Sequence, residues 1–322
     1  MNDRQPDSIT LEDVQAARKR LDGMVLHTPI IRLNNGGTGE LYLKLENLQP
    51  IRSFKVRGAG NAIAMLDPGD MEAGVYTASA GNMAQGVAWN AARLGVRCSV
   101  VVPDGAPRTK LDAIHRLGAQ TISLPYEDWW NVLVTHRYPP LEPAHFIHPV
   151  SDVAVIAGNG TIGLEILEDV PDVNAVLVPY GGGGLSCGIA TAIRSIRPEV
   201  RVYACEVDTA APLAAAFAAG GPVQVQRTPS FVDGIGSPSV LPEMWAPASR
   251  LLAGSLVVSL PEVASAIRQL AEHAAIVAEG AGGAAVAAGL KGLAGPGRHV
   301  AVVSGGNIDP EVLASILAGQ LP

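Results

Sequence analysis

Four consecutive glycines, Gly181 to Gly184, constrain the fold of this chain more than any other feature of its 322-residue sequence. They stand between a hydrophobic segment, 174–179 (NAVLVP), which is typical of a buried strand, and 184–197, which is typical of a helix. Glycines let a backbone approach a ligand closely, and the free N–H groups that open a helix bind anions. The sequence therefore predicts a strand–loop–helix unit that binds a phosphate monoester; a tight turn that binds nothing is the alternative.

Segments of strand and helix character alternate over most of the chain. Strands are predicted at 74–78, 97–102, 120–124, 174–179, 201–207 and 299–303. Helices are predicted at 82–94, 107–117, 184–197, 261–273 and 280–290. Because such alternation places crossover helices between parallel strands, the predicted fold class is α/β, with parallel-rich sheets and helices on both faces.

The alternation is interrupted twice. The segment 126–148 contains two tryptophans and three prolines, and we interpret it as the return between two lobes. A large domain is therefore expected at 1–65 and 148–322, and a small domain at 66–147. The second interruption, 220–245, is rich in proline, glycine and serine, and we expect a loop at the active site or at an interface.

Composition and charge exclude several classes of protein. The chain has 23 Lys and Arg against 30 Asp and Glu, a net charge of −7 and no basic block, so nucleic acid is not an expected partner. No membrane-spanning stretch and no secretion signal are recognisable. The three cysteines, Cys98, Cys187 and Cys205, lack metal-binding spacing, which predicts reduced thiols, a cytoplasmic location and no metal site.

Three further motifs carry residues suited to chemistry. In 53–59 (SFKVRGA), Lys55 precedes a helical segment among apolar residues, where a desolvated amine is a nucleophile for a Schiff base. The turn 77–83 (TASAGNM) offers amides and the Asn82 side chain to a carboxylate or phenolate oxygen. The segment 303–307 (VSGGN) follows the last strand, at the sheet edge where ligands bind. The alternatives are that Lys55 is a solvated surface lysine and that the turn 77–83 is only the N-cap of a helix.

A second interpretation of the glycines stays open at this point. Gly181, Gly183 and, imperfectly, Ser186 match the dinucleotide fingerprint G-x-G-x-x-G, and Glu206 follows the next strand where a ribose-binding acid is expected. A Rossmann-type nucleotide-binding protein is therefore the alternative from another class.

Six motifs, in order and across nearly the whole chain, resemble the fold type II pyridoxal-phosphate enzymes of the serine/threonine dehydratase group. They are SFKVRGA, SAGNMAQGVA, APRTKLDAI with LGA, AGNGTIGLEI, GGGGL and SGGN. The resemblance implies a two-lobed fold like that of the tryptophan synthase β subunit, pyridoxal 5'-phosphate as the cofactor, a small amino acid as the substrate, and a homodimer.

The resemblance also implies a role for each motif residue. Lys55 is expected to attach the cofactor covalently and to be the catalytic residue, with Phe54 beside it; Asn82 is expected to bond the ring hydroxyl, and Ser304 to face the pyridine nitrogen. The residues expected to hold the cofactor phosphate are Gly181, Gly182, Gly183, Gly184 and Leu185. Those expected to bind the substrate are Ser79, Ala80, Gly81 and Met83.

The implied reaction is β-elimination of a hydroxy-amino acid such as L-threonine or L-serine. Lys55 removes the α-proton, the β-hydroxyl leaves, and the products are a 2-oxo acid and ammonia. A serine at the pyridine nitrogen cannot protonate it as a carboxylate would, which favours elimination over transamination. The alternatives are dehydration of another 3-hydroxy-amino acid such as 3-hydroxyaspartate, serine racemisation, and β-replacement.

The sequence departs from the family pattern at several positions. Racemases of the family place a serine where Ala80 stands, so racemisation is not expected as the main activity. Met83 replaces a frequent histidine, and Arg52 replaces a small residue; Arg52 is either solvated or favours a substrate with a second anionic group. Pro212 stands where metal-activated relatives carry an acid, so no divalent-cation site is expected. A C-terminal regulatory domain is not expected either.

Overall fold

A computed structural model describes residues 4–34 and 40–322. Within these ranges, strands form one sheet of six, in the order β1-β2-β10-β7-β8-β9, and one of four, in the order β5-β4-β3-β6. The strands are β1 (Ile30–Arg32), β2 (Glu40–Lys44), β3 (Val75–Ala78), β4 (Cys98–Pro103), β5 (Gln120–Leu124), β6 (His145–Phe146), β7 (Ala175–Pro179), β8 (Arg201–Val207), β9 (Ser255–Val258) and β10 (Arg298–Val302). All neighbouring strands are parallel except β1 and β2, so the predicted α/β class is confirmed.

Helices cover both sheets. They are α1 (Leu11–Arg20), α2 (Lys55–Ala64), α3 (Pro68–Ala73), α4 (Asn82–Leu94), α5 (Arg108–Arg116), α6 (Tyr126–Thr135), α7 (Val153–Asp169), α8 (Gly184–Ile196), α9 (Pro212–Ala219), α10 (Pro242–Leu251), α11 (Leu260–Ala274), α12 (Gly280–Leu290) and α13 (Pro310–Leu317). Among the residues that the structure describes, no helix combines the length and apolar character needed to cross a membrane.

Strand β7 shows why the larger sheet needs helices on both sides. Val176 and Val178 pack into a core with residues of α7 and α8, whereas Ala175 and Leu177 pack into a second core with residues of α11 and α12. Successive side chains of a strand point to opposite faces, so an uninterrupted apolar strand fits only between two helical layers. With both faces covered, the ends of the strands stay open, and in parallel sheets ligands bind beyond the carboxyl ends.

The sequence predicted some elements closely and missed others. The bounds of β5, β8, α4 and α12 are those predicted. Helix α7 was not predicted, because 12 of its 17 residues are buried and no polar face marks it as a helix. The segment 126–148 contains α6 and β6, and its role as the return between two lobes stays a prediction.

The smaller sheet is built from strands within residues 75–146, and the larger one from strands before residue 45 and after residue 174. The division of the chain into a large domain and a small domain, with boundaries at 66 and 147, stays a prediction.

A buried ionic network joins α2 to the strands and helices around it. The Arg57 guanidinium, on α2, donates to the carboxylates of Glu46 and Glu165 at distances of 2.6–2.9 Å. The Lys44 ammonium, on β2, lies 2.6 Å from Glu165. Buried charges are tolerated only when paired and hydrogen-bonded, so this network fixes α2, and with it Lys55 at its first turn, against α7 and β2.

Candidate active site

A cavity of about 630 Å³ lies where the carboxyl ends of the two sets of strands face each other. All thirteen residues that the sequence motifs nominate line this one cavity: Phe54, Lys55, Ser79, Ala80, Gly81, Asn82, Met83, Gly181, Gly182, Gly183, Gly184, Leu185 and Ser304. A second cavity, of about 740 Å³, lies near the amino ends of β2 and β10 and contains none of them. The motifs therefore converge although they are far apart in the sequence.

Lys55 is the first residue of α2, and its amine reaches the wall of the cavity. Its Nζ donates to the carbonyl oxygen of Pro149 at 2.7 Å and lies 5.2 Å from the centre of the Phe54 ring. Burial disfavours the charged form and lowers the pKa of Lys55 to about 8, although the nearby carboxyl of Glu279 opposes the shift. At physiological pH, the neutral fraction of the Lys55 amine is therefore larger than that of an exposed lysine.

Two backbone contacts bring the lysine motif to the end of β10. The N–H of Phe54 donates to the carbonyl oxygen of Ser304 at 3.0 Å, and Ser53 forms an antiparallel bridge with Gly305. Ser304 is 1% exposed and lines the cavity. The residues before Lys55 and those after β10 are thus held side by side.

The glycine loop packs so closely on its neighbours that side chains are excluded. A Cβ on Gly182 would lie 2.5 Å from Val150 Cγ1, and one on Gly184 would lie 2.5 Å from the Val150 carbonyl oxygen. Gly183 has a φ of 100°, in the region that favours glycine. The loop thus brings the start of α8, where helix N–H groups lack an intrahelical partner, to the cavity without side chains in between, which suits an anion.

Asn82 opens α4 and makes two specific contacts. Its Nδ2 donates to the two carboxyl oxygens of Glu279 at 2.9 and 3.1 Å, and its Oδ1 accepts from the Nδ2 of Asn307 at 2.8 Å. Asn307 belongs to the SGGN motif, but Glu279 was missed by the sequence reasoning. The available signal was a lone acid directly before the glycine- and alanine-rich helix α12, where charged residues are scarce.

Glu279 is a buried carboxyl whose hydrogen-bond partners, the Asn82 amide and the backbone N–H of Asn307, are neutral. It is 8% exposed, and burial raises its pKa to about 7, although the bond from Asn82 opposes the shift. A carboxyl in such a site binds a proton more tightly than it does in water. Glu279 therefore changes charge close to neutral pH.

This raised pKa predicts the stability of a variant. Without cofactor, the folded chain binds the Glu279 proton more tightly than the unfolded chain does. The free energy of unfolding therefore falls as the pH rises from 4.5 to about 7, and it keeps the lower value at higher pH. Glu279→Gln removes this loss and should raise the free energy of unfolding by about 3 kcal/mol well above neutral pH, and by less towards acid pH. Urea unfolding at several pH values measures the effect, with the exposed Glu272→Gln as the control. A gain independent of pH would contradict the prediction.

The loop predicted at 220–245 ends at residue 241, where α10 begins, and it contributes to the wall of the cavity. Asp233, Gly234 and Ile235 line the cavity, and the Asp233 carboxylate pairs with Lys110 of α5 across the opening. Trp129, on α6, also lines the cavity and packs against the rings of its neighbours. The loop packs in a core of the larger sheet and α6 against the smaller sheet, so the cavity is lined from both sides.

The Glu206 carboxylate lies away from the cavity and is bound at the start of α9. Its carboxylate accepts from the N–H groups of Leu213 and Ala214 at the start of α9 and from the Ser255 hydroxyl. It is absent from the wall that the glycines line, so the ribose-binding role is wrong. Within residues 4–34 and 40–322, no group of three His, Cys, Asp or Glu side chains is arranged to hold a metal ion.

A buried amine and a glycine loop suited to an anion, in one cavity, are what an enzyme with a phosphorylated aldehyde as its cofactor requires. The profile of the family described as "Pyridoxal-phosphate dependent enzyme" matches residues 21–305. The L-threonine ammonia-lyase of Thermotoga maritima is 41% identical over 315 residues, covering 96% of this chain and 78% of that protein. The catabolic L-threonine dehydratase TdcB of Escherichia coli K12 is 37% identical over 312 residues, covering 94% of each chain.

A solved structure, that of maize serine racemase, superposes with a TM-score of 0.89 at 29% identity and covers 97% of this chain and 98% of its own. The chain belongs to the pyridoxal-phosphate-dependent enzyme family. The fold type II class, the cofactor and the enzymatic nature of the protein, which the six motifs predicted, are confirmed.

Proposed function

We propose that the protein catalyses β-elimination of a hydroxy-amino acid, such as L-threonine or L-serine, to a 2-oxo acid and ammonia. The observation that carries the proposal is the position of the Lys55 amine, in one cavity with the glycine cradle and with the turn that opens α4. The threonine ammonia-lyase and dehydratase named above, at 41% and 37% identity, support the same reaction class.

The residues present fit the cofactor. Lys55 would attach it covalently, and the N–H groups of Gly181 to Leu185 would hold its phosphate. Asn82 would donate to the ring hydroxyl, and Ser304 would face the pyridine nitrogen. The close packing of Gly182 and Gly184 on Val150 supports the phosphate assignment, because it leaves backbone donors, and no side chains, on that wall. Bound pyridoxal phosphate supplies an electron sink that acidifies the α-proton of the substrate.

The substrate carboxylate binds at the turn from Ser79 to Met83. This turn leads into the N-terminus of α4, a helix of 13 residues, where free N–H groups and the helix dipole favour an anion. Lys55 Nζ then takes the α-proton as a general base.

Ala80 carries no transferable proton on this wall, so incubation with L-serine should yield a 2-oxo acid without D-serine.

The lowered pKa of Lys55 predicts a pH dependence. Only the neutral amine accepts a proton, and the neutral fraction increases as the pH rises through about 8. The kcat for threonine should therefore rise through that region, by about tenfold for each unit of pH on the acid side. Stopped assays of 2-oxo acid in buffers of constant ionic strength measure the profile. A flat profile across neutral and weakly alkaline pH would show that another group is the base.

The proposed function is tested by spectroscopy and product analysis together. The purified protein with pyridoxal phosphate should show a visible absorbance band that borohydride removes, with the reduced label mapping to Lys55 by mass spectrometry. Threonine and serine should then each release ammonia and a 2-oxo acid in equal amounts. A labelled Lys55 with D-serine or a thiol adduct as the main product would instead favour racemisation or β-replacement.

Arg52 supports a second candidate, a hydroxy-amino acid with a second anionic group such as 3-hydroxyaspartate. It lines the cavity and has a φ of 57°, a backbone conformation that glycine adopts more easily. Arg52→Gly should lower the ratio of kcat/KM for 3-hydroxyaspartate to that for threonine by about tenfold, because the charged contact is lost. Arg108→Ala, on the exposed surface of α5, is the control. If the ratio does not change, the Arg52 side chain is solvated and does not contact the substrate.

We infer further that the protein is a cytoplasmic homodimer. The unpaired state of Cys98, Cys187 and Cys205 supports a reducing compartment, and the family resemblance supports the dimer. Light scattering should give twice the chain mass of 33.3 kDa.

A further inference from the structure

The Glu279 carboxyl faces the cavity, and the proposed reaction assigns it no role. It immediately precedes α12, its backbone N–H donates to the carbonyl oxygen of Gly305 at 3.0 Å, and both of its carboxyl oxygens accept from Asn82 Nδ2. A Cβ on Gly305 would lie 2.5 Å from Glu279 Oε1. The carboxyl is therefore fixed between the end of β10 and the start of α4.

The contacts of Asn82 determine which end of its amide faces which partner. A side-chain amide has a donor end and an acceptor end of nearly the same shape, and only its partners decide between the two orientations. Glu279 accepts from the nitrogen, and Asn307 Nδ2 donates to the oxygen at 2.8 Å. Asn307 is itself fixed, because its Nδ2 also donates to the carbonyl oxygen of Ile51 at 2.9 Å. The chain of bonds runs in one direction, from Asn307 through Asn82 to Glu279.

We propose that Glu279 is a positioning residue that orients the Asn82 amide so that an N–H, and not the carbonyl oxygen, is presented to the phenolic oxygen of the cofactor. The inference rests on the role proposed for Asn82. The amide has two N–H bonds, so one serves Glu279 and the other remains for the cofactor. The reversed amide would place two oxygens face to face and lose the bond.

The charge of Glu279 gives the proposal a spectroscopic consequence. The charged groups near it are Lys55 on α2, Asp233 in the loop 220–241, and Lys110 on α5. Its polar contacts are the Asn82 amide, the carbonyl oxygen of Gly305 and the backbone N–H of Asn307. Only the Asn82 amide would separate the Glu279 carboxylate from the phenolic oxygen, so the carboxylate disfavours negative charge on that oxygen. The midpoint pH of the cofactor absorbance change depends on this charge. Removal of the charge should shift that midpoint even when the hydrogen bond is kept.

A double-mutant cycle on the holoenzyme tests the proposal, with the dissociation constant of pyridoxal phosphate, from absorbance, as the readout. Glu279→Ala should weaken binding by about tenfold, since one fixed hydrogen bond is lost, whereas Glu279→Gln should stay within about threefold because Oε1 still accepts from Asn82. Asn82→Ala should weaken binding at least as much as Glu279→Ala. Adding Glu279→Ala to Asn82→Ala should cost nothing further, because both act through one bond. The midpoint of the absorbance change with pH should shift in Glu279→Gln and not in the exposed control Glu272→Gln.

Each alternative outcome has a distinct meaning. Additive losses in the double variant, or a Glu279→Gln variant as weak as Glu279→Ala, would overturn the positioning role. If Asn82→Ala leaves the affinity for pyridoxal phosphate unchanged, both the role proposed for Asn82 and this inference are wrong. If the wild type binds no pyridoxal phosphate, the proposed function is wrong. Should Glu279→Ala not fold, Glu279→Met, which keeps the volume and has no strong acceptor, replaces it in the cycle.

Discussion

Replacing Lys55 by alanine is expected to lower kcat/KM for β-elimination by about ten-thousandfold while the protein remains folded. The amine has two functions, covalent attachment of the cofactor and acceptance of the α-proton, and the contacts of Lys55 offer no substitute for either. Its Nζ bonds to a backbone carbonyl, and its neighbouring ring, Phe54, has no titratable group. Removal of the side chain takes only one hydrogen bond, to Pro149, from the fold.

The measurement is the release of 2-oxo acid from threonine with pyridoxal phosphate in excess, together with the absorbance of the bound cofactor. Lys55→Arg is the matched variant: it keeps the positive charge, but a guanidinium is not deprotonated in proteins and cannot be the base, so it should be as inactive as alanine. Lys291→Ala, at a surface pair with Glu262, should retain full activity. Retention of more than about a hundredth of the activity in Lys55→Ala would exclude this lysine as the base.

The elements that the sequence predicted well are those whose signals are local. Strand β8 and helix α4 are bounded by residues that end regular structure, Gly95 after α4 among them, and their apolar patterns are distinct. Helix α7 gave no such signal, because it is buried on nearly every side and its motif AGNGTIGLEI has no polar face. A periodicity argument detects a helix only when part of it meets water.

The candidate site shows the same limit. The motifs named the residues that line the cavity because glycine runs and an isolated lysine are visible in one dimension. The partners that orient them are remote in the sequence: Glu279 is 197 residues from Asn82, and Pro149 is 94 residues from Lys55. Val150, which forces two positions of the cradle to be glycine, has no chemical signature at all. Such residues become visible only when the packing is known.

The second large effect is expected in the glycine cradle. Gly184→Ala should weaken the binding of pyridoxal phosphate by at least about a thousandfold, because the added Cβ would lie 2.5 Å from the carbonyl oxygen of Val150 and the first turn of α8 has to shift. Loss of two hydrogen bonds from backbone N–H groups to a charged phosphate, at about 2 kcal/mol each, accounts for that factor. Gly221→Ala, whose Cβ would meet no heavy atom within 4 Å, is the control and should bind normally.

The identity of the clashing atom makes this prediction specific. At Gly182 an added Cβ would meet the Cγ1 and Cγ2 atoms of Val150, at 2.5 and 2.6 Å, whereas at Gly184 it would meet the backbone. Val150→Ala should therefore restore part of the cofactor affinity lost in Gly182→Ala and none of that lost in Gly184→Ala. Equilibrium titrations of the four variants with pyridoxal phosphate, with unfolding curves to verify that each is folded, measure the difference. If Val150→Ala restores the cofactor affinity of both glycine variants equally, or of neither, contact with Val150 does not determine the shape of the cradle.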